Sequence, residues 1–327
     1  MYNNVIAPVY GYEVAGVLWY QGEGDTGGGY FGSTDKKFRI DGEAEDQDNS
    51  YTEFFYALED TFREAFGNDP NLPFYVMQLS PFLSSSYNTS NVYKLKMEQY
   101  EMCQNEPNTH LVSLGLDGAV LSGAFFAGDL DPDMGGASIS AQGFIHPTRK
   151  STVGIRTADL ILANEYGIKH NDIYTYPTPI KATASGGTVT VEFDSDLRYL
   201  YGDSVMGFEI YDGSKWVMAT GTIDGNKVVI SAEGVTSALS VRYGCGEMVM
   251  ELGDGTLIEV WDKSNSYNTG SKNYSLDSAT QTLTVQYNGV TYTVRGNTTD
   301  MIRTMDYGNI TNASGIPLPL FQMDIGE

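Results

Sequence analysis

Three histidines, His110, His146 and His170, are the side chains on which any imidazole acid–base chemistry in this sequence must rest. His146 stands in Phe144-Ile145-His146-Pro147, after a long Gly/Ser/Ala-rich loop and just before a helical pattern. A histidine on a loop carried by a rigid scaffold is a usual place for a general base. The competing reading is a helix-entry histidine held by a backbone carbonyl. His110 and His170 lie beside polar turn sequence, which predicts surface placement for both. Gln21-Gly22-Glu23 supplies the second group of candidates. An apolar run ending in Trp19-Tyr20 delivers an amide and a carboxylate together. Glutamine can donate an N–H to a developing oxyanion, and glutamate can orient and charge-stabilise a histidine. A solvated acidic loop, with Glu23 and Asp25 both in water, is the alternative for that tripeptide.

The elements that must position these groups alternate. Val14 to Tyr20, Leu72 to Leu79 and Leu111 to Leu116 read as buried strands. Ser50 to Phe66 reads as a helix, with Ser50 and Glu53 at capping-box spacing, apolar residues at Phe54, Phe55, Leu58, Phe62 and Phe66, and Gly67 as its stop. Val92 to Gln104 and Ser151 to Tyr166 read as further helices. Strands alternating with helices over residues 1–172 imply an α/β domain with a mostly parallel sheet. Function in such folds gathers at the carboxyl ends of strands, where Gln21–Glu23 falls.

From about Tyr174 the pattern changes to short alternating segments, such as Thr188–Phe193, Gly207–Tyr211, Val228–Ser231 and Leu239–Tyr243. Turn dipeptides at Gly186-Gly187, Asp212-Gly213 and Asp224-Gly225 separate them. Residues 173–327 are therefore expected to form an antiparallel, β-sandwich-like module. Thr282–Tyr287 and Val290–Val294 flank Asn288-Gly289, a hairpin signal, within an insertion of hairpins near 247–303.

The chain of 327 residues, 41% hydrophobic and 19% charged, has room for one large domain or two modest ones. A formal net charge of -23 repels polyanions, so nucleic acid is excluded as a partner. No run reaches the roughly 18 apolar residues of a membrane span, so no membrane partner is expected. Cys103 and Cys245 lack CxxC or Cys/His spacing, which predicts neither a disulfide framework nor a zinc site. Sequons at Asn88, Asn273, Asn297, Asn309 and Asn312 are short motifs that arise by chance in Asn- and Thr-rich sequence.

Several landmarks occur together and in order: Tyr2-Asn3-Asn4-Val5-Ile6-Ala7-Pro8, Trp19-Tyr20-Gln21-Gly22-Glu23, Pro73-Phe74 through Gln78-Leu79-Ser80-Pro81-Phe82, Ile145-His146-Pro147-Thr148-Arg149-Lys150 and Asn312-Ala313-Ser314-Gly315-Ile316-Pro317. In this the chain resembles the sialate O-acetylesterases, carbohydrate esterases of the SGNH-hydrolase type. The resemblance spans nearly the whole chain apart from 247–303. It implies an SGNH-like α/β fold and hydrolysis of acetyl esters on sugars without cofactor or metal. A serine attacks the ester, a histidine acts as base and then acid, and water releases the acetyl group. Residue by residue, it implies His146 as the catalytic histidine, Gln21 as an oxyanion-hole donor and Glu23 as its acid partner, as in related acetyl xylan esterases. Asp25, beside this motif in the substrate-binding region, stands where sialate esterases usually have asparagine and acetyl xylan esterases often have aspartate. Gly143 occupies the position where SGNH enzymes often carry an aspartate, so orientation of His146 falls to Glu23, with Asp117, Asp131 and Asp133 as alternatives.

The same resemblance places the nucleophilic serine on a Gly-Gln-Ser-Asn-like turn upstream of the Tyr-Asn segment with which this chain opens. The expectation is therefore a chain without its nucleophile and without the first strand of the sheet, inactive alone and completed by an N-terminal segment. Gly202-Asp203-Ser204-Val205 imitates a nucleophile signature but falls in the antiparallel module, and Ser80 and Ser84-Ser85-Ser86 lack one. By analogy with exported relatives, a secreted or periplasmic location is expected. Acetyl xylan esterase activity and non-catalytic glycan binding by the tyrosine-rich β module are the alternative functions.

Overall fold

The structure, a computed structural model, describes residues 6–26, 51–81, 89–115, 150–245, 247–261, 273–277, 280, 282–295, 301–306 and 308–326. Val17–Trp19 (β1), Phe74–Met77 (β2) and Thr109–Val112 (β3) make a parallel sheet in the order β1-β2-β3. Its register sets Leu18 beside Tyr75 and Tyr75 beside His110. Helix Tyr51–Ala65 (α1) lies between β1 and β2 in the chain, Thr89–Asn105 (α2) between β2 and β3, and Lys150–Tyr166 (α3) after β3. The strands are shorter than their apolar runs. Only the residues that meet a neighbouring backbone can form a ladder.

One expectation is corrected at β1. The run is expected to be buried, yet Leu18 is 57% exposed while Val17 is buried. Among the described residues β1 is hydrogen-bonded to β2 alone, so one edge stays open, and Leu18 is exposed although its neighbour Tyr75 on the same face is buried against α3.

The phenylalanine stripe of α1 packs on the opposite face. The Phe55 and Phe62 rings lie 5.8 and 6.2 Å from Phe74, and Trp19 meets Phe55 edge-on. Ser50 of the expected capping box lies outside the described residues. The amide of Thr52 is instead accepted by Glu98 Oε2 of α2, at 3.0 Å. The stripe also contains two buried polar side chains that periodicity does not reveal, Glu59 and Arg63. Thr109 Oγ1 donates to Glu59 Oε1 at 2.6 Å, and Arg63 pairs with Glu106 at 3.0 Å. Burial pushes the Glu59 carboxyl from the ordinary 4.5 up to about 7, against the lowering pull of Thr109 and Arg63.

The antiparallel module is built from Pro179–Ser185 (β4), Thr188–Phe193 (β5), Leu197–Tyr199 (β6), Phe208–Tyr211 (β7), Trp216–Asp224 (β8), Lys227–Ala232 (β9) and Ser240–Tyr243 (β10). Glu247–Leu252 (β11), Leu257–Trp261 (β12), Tyr274–Asp277 (β13), Thr282–Tyr287 (β14), Val290–Arg295 (β15) and Met301–Asp306 (β16) follow, then Ile310–Asn312 (β17) and Phe321–Asp324 (β18). The main sheet runs β18-β10-β7-β8-β9-β5-β4. Its two layers are joined by β8, which pairs with β7 through residues 216–218 and with β9 through 219–224. A Cβ at Gly221 would fall 1.9 Å from Val229 O, so only glycine permits this crossing. The layers face each other across Phe193, Phe208, Tyr243 and Phe321, and Gly326 N–H donates to Ala182 O where their far edges meet.

Strands β11–β16 form two three-stranded sheets around Met250, Ile258, Val260, Leu283, Val285 and Val294. Asn288 (φ 50°) and Gly289 (φ 76°) turn the β14–β15 hairpin in the left-handed conformation its residues favour.

Helix α2 joins the two halves. Val92, Leu95 and Met102 enter the α/β core, whereas Tyr100 belongs, with Leu111 of β3, to the core of the antiparallel module. Tyr93 meets Cys245 and Leu320. Sequons at Asn273, Asn309 and Asn312 are structural. All three side chains are buried and hydrogen-bonded to backbone carbonyls.

Candidate active site

Gln21, Glu23 and Asp25 follow β1 directly, at the carboxyl end of the parallel sheet. Residues 23–26 form a short 3-10 turn, closed by Asp25 N–H to Gly22 O at 2.9 Å and by Thr26 Oγ1 to Glu23 O at 2.7 Å. Gly22 is buried with φ 147°, and a Cβ there would sit 2.8 Å from Leu95 Cδ2 and 3.3 Å from Leu79 Cδ1. The chain therefore passes close over the α2–β2 packing, which turns the side chains of 21 and 23 away from the core.

The backbone of Gln21 is held from two elements. Tyr51 OH of α1 donates to its carbonyl at 3.0 Å and accepts from Trp19 Nε1 at 2.9 Å. Gln99 Nε2 of α2 donates to the same carbonyl at 3.2 Å, while its Oε1 accepts the Leu79 amide at 2.9 Å. Burial pushes the Tyr51 hydroxyl up to about 12, so it stays a neutral donor. The Gln21 side chain donates to Asp25 Oδ2 at 2.6 Å. An amide nitrogen carries two N–H groups, so one remains for a ligand.

Glu23 is half-buried, and desolvation raises its pKa. Neighbouring Asp25 raises it further, and Lys150 lowers it. Asp25 is also raised by desolvation, against the bond from Gln21. The influence of Lys150 brings the first residue of α3 within electrostatic reach of the Glu23 carboxylate. The hydroxyls of Tyr20 and buried Ser80 lie 3.3 Å apart, with burial pushing Tyr20 up to about 12.

Gln21, Glu23 and Asp25 are thus brought together. His146, Asp117, Asp131, Asp133 and Ser84-Ser85-Ser86 lie outside the described residues. His110 is not a surface residue: it is half-buried on β3, its ring 5.1 Å from that of Tyr75, and desolvation lowers its pKa. His170 is exposed and bonds Asp159 at 2.9 Å. Ser204 sits on an exposed loop of the antiparallel module whose carbonyls are held by Asn309. Gln99 and Tyr51 are site residues that the sequence did not disclose. Each is a polar side chain within an amphipathic helix, and its partner lies far away in the chain. Among the described residues, no group of His, Cys, Asp and Glu could hold a metal ion, and no helix is long and apolar enough to cross a membrane.

A parallel α/β sheet joined to an antiparallel module is an architecture found among solved structures. No protein-family profile and no curated relative matches the chain. Among solved structures it is similar to a carbohydrate acetylesterase from Xanthomonas citri, with a TM-score of 0.60 and 23% identity over 99% of this chain and 53% of that one. The chain has that fold and spans about half the length of that structure.

Proposed function

We propose that this chain is the histidine- and glutamate-bearing part of a carbohydrate O-acetylesterase working in the SGNH manner, with O-acetylated sialic acid as its foremost substrate. The observation that carries the reading is the cluster of Gln21, Glu23 and Asp25 that directly follows β1 at the carboxyl end of the parallel sheet. The shared fold is that of a protein described as a carbohydrate acetylesterase.

In this reading a segment pairs along the open edge of β1 and delivers a serine hydroxyl. His146 takes the serine proton as Oγ attacks the acetyl carbonyl, and Glu23 accepts the other imidazole N–H and stabilises the cation. The free N–H of Gln21 donates to the oxyanion, and Asp25 holds that amide in place. Collapse releases the sugar hydroxyl, which takes the proton from His146. Water, deprotonated by His146, then frees acetate and restores the serine.

The test is hydrolysis of p-nitrophenyl acetate, O-acetyl sialic acid and acetylated xylan. The purified chain alone should show little turnover on any of them, whereas a fusion to a strand carrying a Gly-Gln-Ser turn should release acetate, fastest from the sialic acid ester. Robust turnover by the unfused chain, abolished by His146→Ala, would assign the nucleophile to an internal serine. Preference for xylan would move the substrate to that polymer. Glycan binding without hydrolysis in the fusion, unaffected by Glu23→Gln, would reject the esterase.

A further inference from the structure

Two polar atoms without a hydrogen-bond partner are buried at the carboxyl ends of the neighbouring strands β2 and β3. They are Gln78 Oε1 and Ser113 Oγ, on residues 0% and 2% exposed. The β2–β3 register pairs Met77 with Val112, and Gln78 N–H continues the ladder to Val112 O at 3.0 Å, so Gln78 lies opposite Ser113. Parity puts both side chains on the α2 side. Thr109 and Leu111, in step with Ser113, meet Glu59 and the Tyr100 core, and Gln78 Nε2 donates to Lys96 O of α2 at 3.2 Å. That bond fixes the amide orientation, because a flip would set two carbonyl oxygens against each other. Residues 78 and 113 therefore sit opposite one another on the same face of the sheet.

We infer that Gln78 Oε1 and Ser113 Oγ share one buried water molecule, an internal ligand site that clamps the ends of β2 and β3 beneath α2. Leaving both atoms dry costs the full desolvation of two polar groups, which native interiors avoid. The chemistry of the pair selects the ligand. Gln78 Oε1 only accepts, so the guest must donate to it, and the Ser113 hydroxyl either donates or accepts. A single hydroxyl-bearing oxygen meets both requirements, and the burial of both residues restricts it to water, which needs two to four polar partners. Ser113 is held from the other side, its carbonyl accepting from Arg156 Nη1 at 3.0 Å. The inference is independent of the esterase reading.

The experiment is thermal unfolding of the full chain with Ser113→Ala, Gln78→Met and the double variant. If the hydroxyl were dry and unpaired, its removal would leave the midpoint unchanged or raise it. With the bridging water, Ser113→Ala lowers the midpoint by about 2–4 °C. The double variant should then fall little further than the costlier single variant, since either change dismantles the same bridge. Additive losses, or a midpoint raised or unmoved by Ser113→Ala, overturn the inference. A crystal structure of the chain should show density within hydrogen-bond distance of both atoms. A direct Gln78–Ser113 bond overturns it, as does displacement of that density by a soaked acetylated monosaccharide, which would make the site a sugar-hydroxyl subsite.

Discussion

The side chain of Gln99 links two strand ends, donating to Gln21 O at 3.2 Å and accepting from Leu79 N at 2.9 Å. Gln99 is wholly buried, so each bond lies out of reach of bulk water. Gln99→Leu keeps the volume but strands the Leu79 amide, at a cost of about 1–3 kcal/mol. The urea midpoint should drop accordingly. An unchanged midpoint would mean that the linkage is incidental.

Gly22 passes over Leu95 and Leu79 with a backbone angle that side chains rarely adopt. Gly22→Ala should cost about 1–3 kcal/mol of backbone strain, plus a clash with Leu95. Pairing it with Leu95→Ala should recover the clash and leave the strain. Chemical denaturation of the three variants separates these two parts.

Glu59 provides a pH signature. Its folded pKa of about 7 stands above the ordinary 4.5, so the contribution of its protonated form is fully present below about pH 4.5 and lost as pH rises through about 7. Glu59→Gln keeps an acceptor for Thr109 and removes the ionisation. The variant should match the parent near pH 5 and melt about 3 °C or more above it at pH 8. Equal midpoints at both values would show that Arg63 fully compensates the charge.

Leu18→Lys should change the stability of this chain by no more than about 0.5 kcal/mol, because the side chain already faces solvent. The same substitution should abolish acetate release by a fusion that depends on a strand added beside β1. Full activity in that fusion would locate the added segment elsewhere.

Legibility from the sequence followed the range of the interactions. The helices at 51–65 and 150–166 were readable because a period of 3.6 is local, as were the Asn288-Gly289 and Asp224-Gly225 turns. The cluster at 21–25 was readable as a strand end. The burial of Glu59 was not, since its partner Thr109 is 50 residues away. The exposure of Leu18 was equally hidden: an apolar run looks the same in a central strand and at an open edge. The half-burial of His110 escaped for a related reason, because polar neighbours in sequence say nothing of Tyr75 across the sheet.

Helix 89–105 gives one flank to each half of the molecule. Scission near residue 172 would therefore leave the later fragment lacking Tyr100 from its interior, and the earlier one with bare aromatic surface. Calorimetry of the intact chain should accordingly record a single endotherm, and exchanging the antiparallel half between homologues would require carrying that helix along with it.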